Sequence, residues 1–160
     1  MLSAHHATQC IKHIKDHLHI SYETDLIIDP HAGNEAFMDG IQTLAKLNLF
    51  YNKSPIHDNV LPLDFLQIDF DRHDKTYLSG LWYDDVHIIS YPPPEQAEQF
   101  IRAACKFAQS ISFIIPQKAK YAFPANYQRL FSTSLSGTGL TGTELLGKDM
   151  VFQIWLKADY

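Results

Sequence analysis

Apolar residues near the start of the chain recur at helical spacing. Ile11, Ile14 and Leu18 share one face that Ala7 and Cys10 join, so residues 4–19 are predicted to form an amphipathic helix. Residues 25–29 (Asp-Leu-Ile-Ile-Asp) read as a short buried strand, and Pro30-His-Ala-Gly33 as a turn. Asn34 is placed to cap a following helix in which Phe37, Ile41 and Leu44 recur on one face. Residues 47–52 read as a second strand, 60–64 as a short third and 85–90 as a buried fourth that stops at Pro92, Pro93 and Pro94. A stripe of Ala97, Phe100, Ile101, Ala104, Phe107 and Ala108 predicts a helix over 95–109, followed by a strand at 112–115. Beyond an aromatic loop with Tyr121, Phe123 and Tyr127, residues 130–134 and 150–156 read as two last strands. The Gly/Ser/Thr-rich stretch between them, 135–148, is expected to be a mobile connection, and the Asp-rich stretch 64–85 carries no clear periodicity.

Strands that alternate with helices imply crossover connections and a mainly parallel sheet covered on both faces. Two closing strands with no helix between them imply an antiparallel hairpin. The expected class is therefore α/β: a Rossmann-like, mostly parallel central sheet flanked by helices, with a C-terminal antiparallel hairpin.

Composition narrows this picture. The 160 residues, 46% hydrophobic, suffice for one domain with a sizeable core and are too few for two. No apolar run approaches the ~20 residues of a spanning helix, and the first residues lack the basic start and apolar run of a signal peptide. Two cysteines, Cys10 and Cys105, each inside a predicted helix, argue against a disulfide framework and for a reducing, cytoplasmic setting. The net charge of −5 argues against strong independent binding to nucleic acid. Lys118, Lys120 and Arg129, with Tyr121 and Tyr127, are the residues that would line such a groove.

Open α/β sheets bind ligands at the carboxyl ends of their strands, where the strand order reverses. The turn after the first strand reads Asp29-Pro30-His31-Ala32-Gly33-Asn34-Glu35-Ala36-Phe37. It resembles the D-P-x-A-G-x-G-x-F turn of S-adenosylmethionine-dependent methyltransferases acting on the N6 of adenine. Further likenesses follow in the same order: Asp64-Phe65-Leu66 to D-F-L, residues 86–94 to D-I-I-I-G-N-P-P-F/Y, 112–116 to F-I-L-P, and 151–155 to V-F-Q-I-W. The resemblance implies a cofactor site built from Asp29, Pro30, Ala32, Gly33, Ser54, Asp64 and Phe65. It implies a catalytic loop at Tyr91, Pro92, Pro93 and Pro94, and no metal.

Departures from the pattern bear on activity. Glu35 stands where the resembled turn has a second glycine, which lets the backbone approach the cofactor. Ser54 aligns with the carboxylate that holds both ribose hydroxyls, and one hydroxyl does not replace a bidentate acceptor. Tyr91 replaces the Asn whose amide oxygen accepts from the target amino group, and Pro94 the aromatic that stacks on the flipped base. The Pro92 carbonyl would remain as an acceptor. Losing one preorganised polar group costs ~10²-fold or more in rate. The expectation is a catalytically inactive methyltransferase-fold protein that serves as a binding or scaffold subunit, with S-adenosylmethionine binding weak or lost. A protein partner or a second copy of the chain is then implied. The alternatives are an active methyltransferase with a non-standard S-Y-P-P-P loop, and a nucleic-acid-binding module.

Other constellations are weaker. His13 and His17 stand four apart, a zinc-compatible spacing, but no further ligand pattern accompanies them. Asp69, Asp71 and Asp74 lack the order of a calcium loop. Residues 142–148 fit G-x-x-x-x-G-K, but Asp149 follows and a strand, not a helix, is predicted next. Cys105 in mid-helix reads as inert packing.

Overall fold

Leu26–Asp29 forms β1, and all four residues are buried because the strand lies in mid-sheet with both faces covered. The structure is a computed structural model that describes residues 2–68, 82–118, 121–135 and 150–158. From β1 the chain runs through α2 (Glu35–Leu44) into β2 (Leu47–Phe50), which pairs parallel to β1. It then returns on the other side of β1 as β3 (Val86–Ser90), also parallel. The strand order thus reverses at β1, which makes the carboxyl ends of β1 and β3 the switch point of the sheet. α3 (Ala97–Ala104) leads to β4 (Ser110–Pro116), parallel to β3, and β5 (Tyr127–Ser134) and β6 (Met150–Lys157) close the sheet as an antiparallel pair. The order is β2-β1-β3-β4-β6-β5. This is the expected α/β class.

The two faces carry separate cores. Ile27, Ile89, Ile114, Phe152 and Ile154 point towards α1 (Ala4–His17) and α2, while their neighbours Ile28, Ile88, Ile111, Phe113 and Val151 point towards α3. α1 starts where Ser3 Oγ accepts the His6 N–H, and it buries Ala7, Cys10, Ile11 and Ile14. Gly40 lets α1 approach α2: a Cβ there would stand 2.5 Å from Ile11 Cγ1.

Several boundaries differ from the sequence reading, each for a local reason. The predicted third strand, 60–64, reduces to one parallel bridge between Tyr51 and Leu61, because Pro62 supplies no N–H to carry the ladder on. The helix predicted over 95–109 begins with a 3₁₀ turn, Pro94–Gln96, and ends at Ala104, where the bonds tighten to Lys106 N–Ala103 O and Phe107 N–Ala104 O. β4 is longer than its apolar run, since Ser110 pairs with His87 and Pro116 with Met150. β5 starts at Tyr127, three residues before the strand expected at 130–134. The stretch 135–148, Asp69, Asp71, Asp74, Lys120 and the G-x-x-x-x-G-K segment lie wholly or, for 135–148, almost wholly outside the described residues.

At the amino ends of β1, β3 and β4 sits a buried polar network. Asp25 accepts the backbone N–H of Ser21 (2.9 Å) and of Asp85 (3.3 Å), and pairs with His87 Nε2 at 3.0 Å. His87 Nδ1 meets Ser110 Oγ at 2.7 Å. With Nε2–H given to the carboxylate, Nδ1 is the bare nitrogen that accepts the serine proton.

Candidate functional site

At the carboxyl ends of the strands, three loops converge: 30–34 after β1, 51–54 after β2 and 91–96 after β3. Asp29 ends β1 with its side chain turned inward. It is 2% exposed, and both of its bonds converge on Oδ1, from Ser90 Oγ (2.5 Å) and the His31 N–H (3.1 Å). Burial pushes its carboxyl up to about 7, against those two bonds. Asp29 is therefore a brace between β1 and β3, with its carboxyl turned away from solvent.

The turn is pinned from the neighbouring strand. The Ala32 N–H donates to the Tyr51 carbonyl (2.8 Å), and Asn52 Nδ2 donates to the Ala32 carbonyl (2.9 Å). Asn34 Oδ1 caps α2 on the Phe37 N–H (2.9 Å), while its Nδ2 holds the Leu2 carbonyl (2.8 Å). Gly33 is exposed, and a Cβ built on it would meet nothing nearer than Asn52 Nδ2 at 3.9 Å. Its own protein leaves room for a side chain. Glu35 is exposed in the first turn of α2 and does not fill the space above Gly33.

Two cavities open over this switch point. One, of about 300 Å³, is lined by Leu2, His31, Gly33, Asn34, Tyr91 and the three prolines. The other, of about 190 Å³, lies between Pro30, Lys53, Asp64, Phe65, Glu95 and Phe100, with His31 and Pro93 again in its wall. His31 and Pro93 are thus the partition between them. His31 Nδ1 lies 3.3 Å from the Tyr91 carbonyl. A carbonyl only accepts, so Nδ1 carries the proton and Nε2 is bare in the neutral ring. Burial lowers the His31 pKa, with the Tyr91 carbonyl and Glu95 opposing and Lys53 assisting.

Asp64 Oδ1 accepts the Leu66 N–H (3.0 Å) and starts the 3₁₀ turn Phe65–Gln67, while its side chain still lines the smaller cavity. Phe65 is buried, stacked parallel to Phe100 at 6.0 Å. Tyr91 is half-buried, which raises its phenol pKa. The Pro93 carbonyl is spent on the Gln96 N–H (2.9 Å), whereas no donor among the described residues reaches that of Pro92. Pro94 is exposed at the head of its 3₁₀ turn.

Of the residues the resemblance implied, Pro30, Gly33, Asp64, Phe65, Tyr91, Pro92, Pro93 and Pro94 gather around these two cavities. Asp29 and Ala32 brace the turn from beneath. Ser54 is exposed and lines neither cavity; Lys53 does instead, and the Ser54 N–H donates to Asn52 Oδ1 (2.9 Å). Sequence reasoning missed His31, Asn52, Lys53 and Leu2. His31 stood inside the quoted turn at its variable position; the others carry no motif.

No protein-family profile matches the chain, and no curated protein matches it in sequence. Solved structures do match. A provisionally named methylase from Haemophilus influenzae aligns over 98% of this chain and 99% of its own, with a TM-score of 0.59 and 13% identity. An rRNA methylase from Streptococcus thermophilus aligns over 99% of both chains, with a TM-score of 0.58 and 8% identity. A provisionally named RNA methyltransferase from Pyrococcus horikoshii aligns over 96% of this chain and 83% of its own, with a TM-score of 0.52 and 13% identity. The chain has the methyltransferase fold. At such identities the likeness carries the architecture and not the chemistry. Among the described residues no helix is long and apolar enough to cross a membrane, and no group of three metal-ligating side chains occurs.

Proposed function

We propose that this methyltransferase-fold chain binds S-adenosylmethionine across its switch point, and that it is a poor catalyst of N6-adenine methylation. The observation that carries the binding half is the open space beside Gly33. Glycine there relieves no clash within the protein, yet it forms part of the wall of the 300 Å³ cavity. That is the signature of a backbone kept bare for a close ligand. The site fits the cofactor unevenly. Asp64 and Phe65 offer an acceptor and an aromatic edge for its adenine, and the exposed turn at Gly33 faces its amino-acid end. No carboxylate follows β2 to meet the ribose, since Lys53 lines the cavity there and Asp29 is turned inward. His31 divides the space the cofactor would span, so it must swing away from the Tyr91 carbonyl. These features support binding weaker than a complete site gives. When bound, the cofactor supplies an electrophilic methyl group.

The second half of the proposal rests on the loop after β3. An aligned amide oxygen is absent, Pro94 presents no aromatic face, and the Pro92 carbonyl alone is left to accept from an amino group. A role as a binding or scaffold subunit beside a protein partner, or a second copy of itself, follows from that loss. The unclaimed Pro92 carbonyl is also what favours the second reading, a slow methyltransferase with a different acceptor.

Calorimetric titration with S-adenosylmethionine and its demethylated product is the direct test. One-to-one binding is expected, weakened at least ~10-fold in Asp64→Ser, which keeps a capping oxygen for the 3₁₀ turn. No heat of binding for either compound, from protein with an intact melting transition, overturns the proposal.

A further inference from the structure

A third cavity, of about 460 Å³, lies on the α3 face of the sheet over β4, β5 and β6. It shares no lining residue with the two at the switch point. Its wall is a stacked pair, Phe123 and Trp155, with ring centroids 3.8 Å apart and planes within 6°. Tyr121 stands beside them. The amide of Gln153 is fixed, because Oε1 accepts from Trp155 Nε1 (3.0 Å) and Nε2 donates to Ser132 Oγ (3.3 Å). Arg129 is exposed and has no ion-pair partner among the described residues. The acidic residue nearest Tyr121 in its electrostatics, Glu98, is held by Arg102 at 3.0 Å.

The backbone has been arranged to make this composition. In an unbroken strand, Arg129 and Ser132, three residues apart, would point to opposite faces. A register shift between Arg129 and Phe131 inserts Leu130, so that Arg129 pairs with Trp155 and Ser132 with Gln153. Both side chains then line the same cavity. Bulges that re-aim side chains in this way occur preferentially beside functional sites.

We infer that this cavity binds a nucleoside 5′-monophosphate unit, its base against the Phe123–Trp155 wall and its phosphate on Arg129. Every base has a face that stacks on an aromatic ring. The Gln153 amide, held in place, offers a donor and an acceptor to a base edge, and a guanidinium matches a phosphate in two parallel bonds. The volume lies within the range of small-ligand sites. The count of charges sets the anion: among the described residues Arg129 is the one cation in the lining, and the chain carries a net −5, so one phosphate suits the site better than three. The inference stands independently of methyl transfer.

The chain has two tryptophans, and Trp82 lies outside the lining, so Trp82→Phe leaves Trp155 as the sole reporter. Titrating that protein with adenosine monophosphate is expected to quench its fluorescence saturably. Adenosine without the phosphate, or the monophosphate on an added Arg129→Ala change, is expected to bind about tenfold more weakly. An added Gly33→Ala change is expected to leave the titration unaltered. A short oligoadenylate that binds more tightly than the monophosphate marks the unit as part of a strand; equal or weaker binding marks it as free. Absence of saturation by either probe up to ~10 mM overturns the inference, since affinity at that level lies below specific recognition. So does an affinity that Arg129→Ala leaves intact, or one that Gly33→Ala removes.

Discussion

β1 carries an aspartate at each of its ends, and the two have opposite fates. Asp25, before the strand, accepts from two backbone N–H groups and from His87, so its charge is compensated from three directions. Asp29, four residues on, is equally buried but receives both of its bonds on one oxygen, and burial drives its carboxyl up to about 7. The amino end of the sheet is a closed polar network and the carboxyl end an open one. Ser110, His87 and Asp25 even fall in the order of a nucleophile relay, yet Ser110 is fully buried and no substrate reaches it. The lesson is that polar geometry alone does not make a site. Access does, and the sheet grants it at the switch point.

The strongest way to break this contrast is His87→Ala. It leaves Asp25 and Ser110 buried without their shared partner, and stripping the hydrogen-bond partner from two buried polar groups costs about 3 kcal/mol. Chemical denaturation should show a loss of that size, with the midpoint shifted and the slope unchanged. A loss below ~1 kcal/mol would mean that the network contributes little. The wild-type pH profile offers a second check. Burial lowers the His87 pKa below its ordinary 6.5, with Asp25 opposing, so the unfolded chain takes up the proton first. The stability from neutral His87 is present above pH 6.5 and lost as the pH falls through the lowered folded value.

The two ends were not equally legible from sequence. The carboxyl end announced itself through residues close together in the chain, Asp29 to Phe37, where proline, glycine and a capping Asn have local backbone meanings. The amino-end network joins residues 62 and 23 apart, and it exists only because the register of β1, β3 and β4 stacks Asp25, His87 and Ser110 in a row. An alternation pattern shows that His87 lies in a strand and not what it meets. Ser54 illustrates a middle case. Counting along the chain from the end of a strand selects it, but the turn after β2 folds back through Asn52, and Lys53 reaches the cavity. The β5 bulge was illegible for a related reason, since Leu130 and Phe131 are both apolar and conceal the break in alternation.

Asp29→Asn sharpens the comparison at the open end, with a smaller effect of opposite sign. A carboxyl whose folded pKa is raised to about 7 from 3.8 stabilises the fold when protonated, and that contribution is lost as the pH rises through 7. Asn keeps an acceptor for Ser90 and for the His31 N–H and never ionises. The variant is expected to gain on the order of 2 kcal/mol over wild type at pH 8 and almost nothing at pH 4. Parallel stability curves for the two proteins between those limits would show that Asp29 is not the group that titrates.

Gly33→Ala is expected to move stability least and to speak most directly to the open cleft. Alanine lowers the backbone entropy of the unfolded chain a little, and its Cβ would stand in ordinary contact distance of Asn52 Nδ2, so folding should change by less than ~1 kcal/mol. Compare Gly40, where the same methyl would press to 2.5 Å from Ile11 between α1 and α2. One glycine is kept for the protein's own packing. The other has no internal reason to be glycine. If Gly33→Ala melts like wild type and loses S-adenosylmethionine binding at least ~10-fold by calorimetry, the reason lies with the ligand. If it melts like wild type and binds the cofactor equally well, the bare turn is an accident of sequence and the cleft loses its main claim to a ligand.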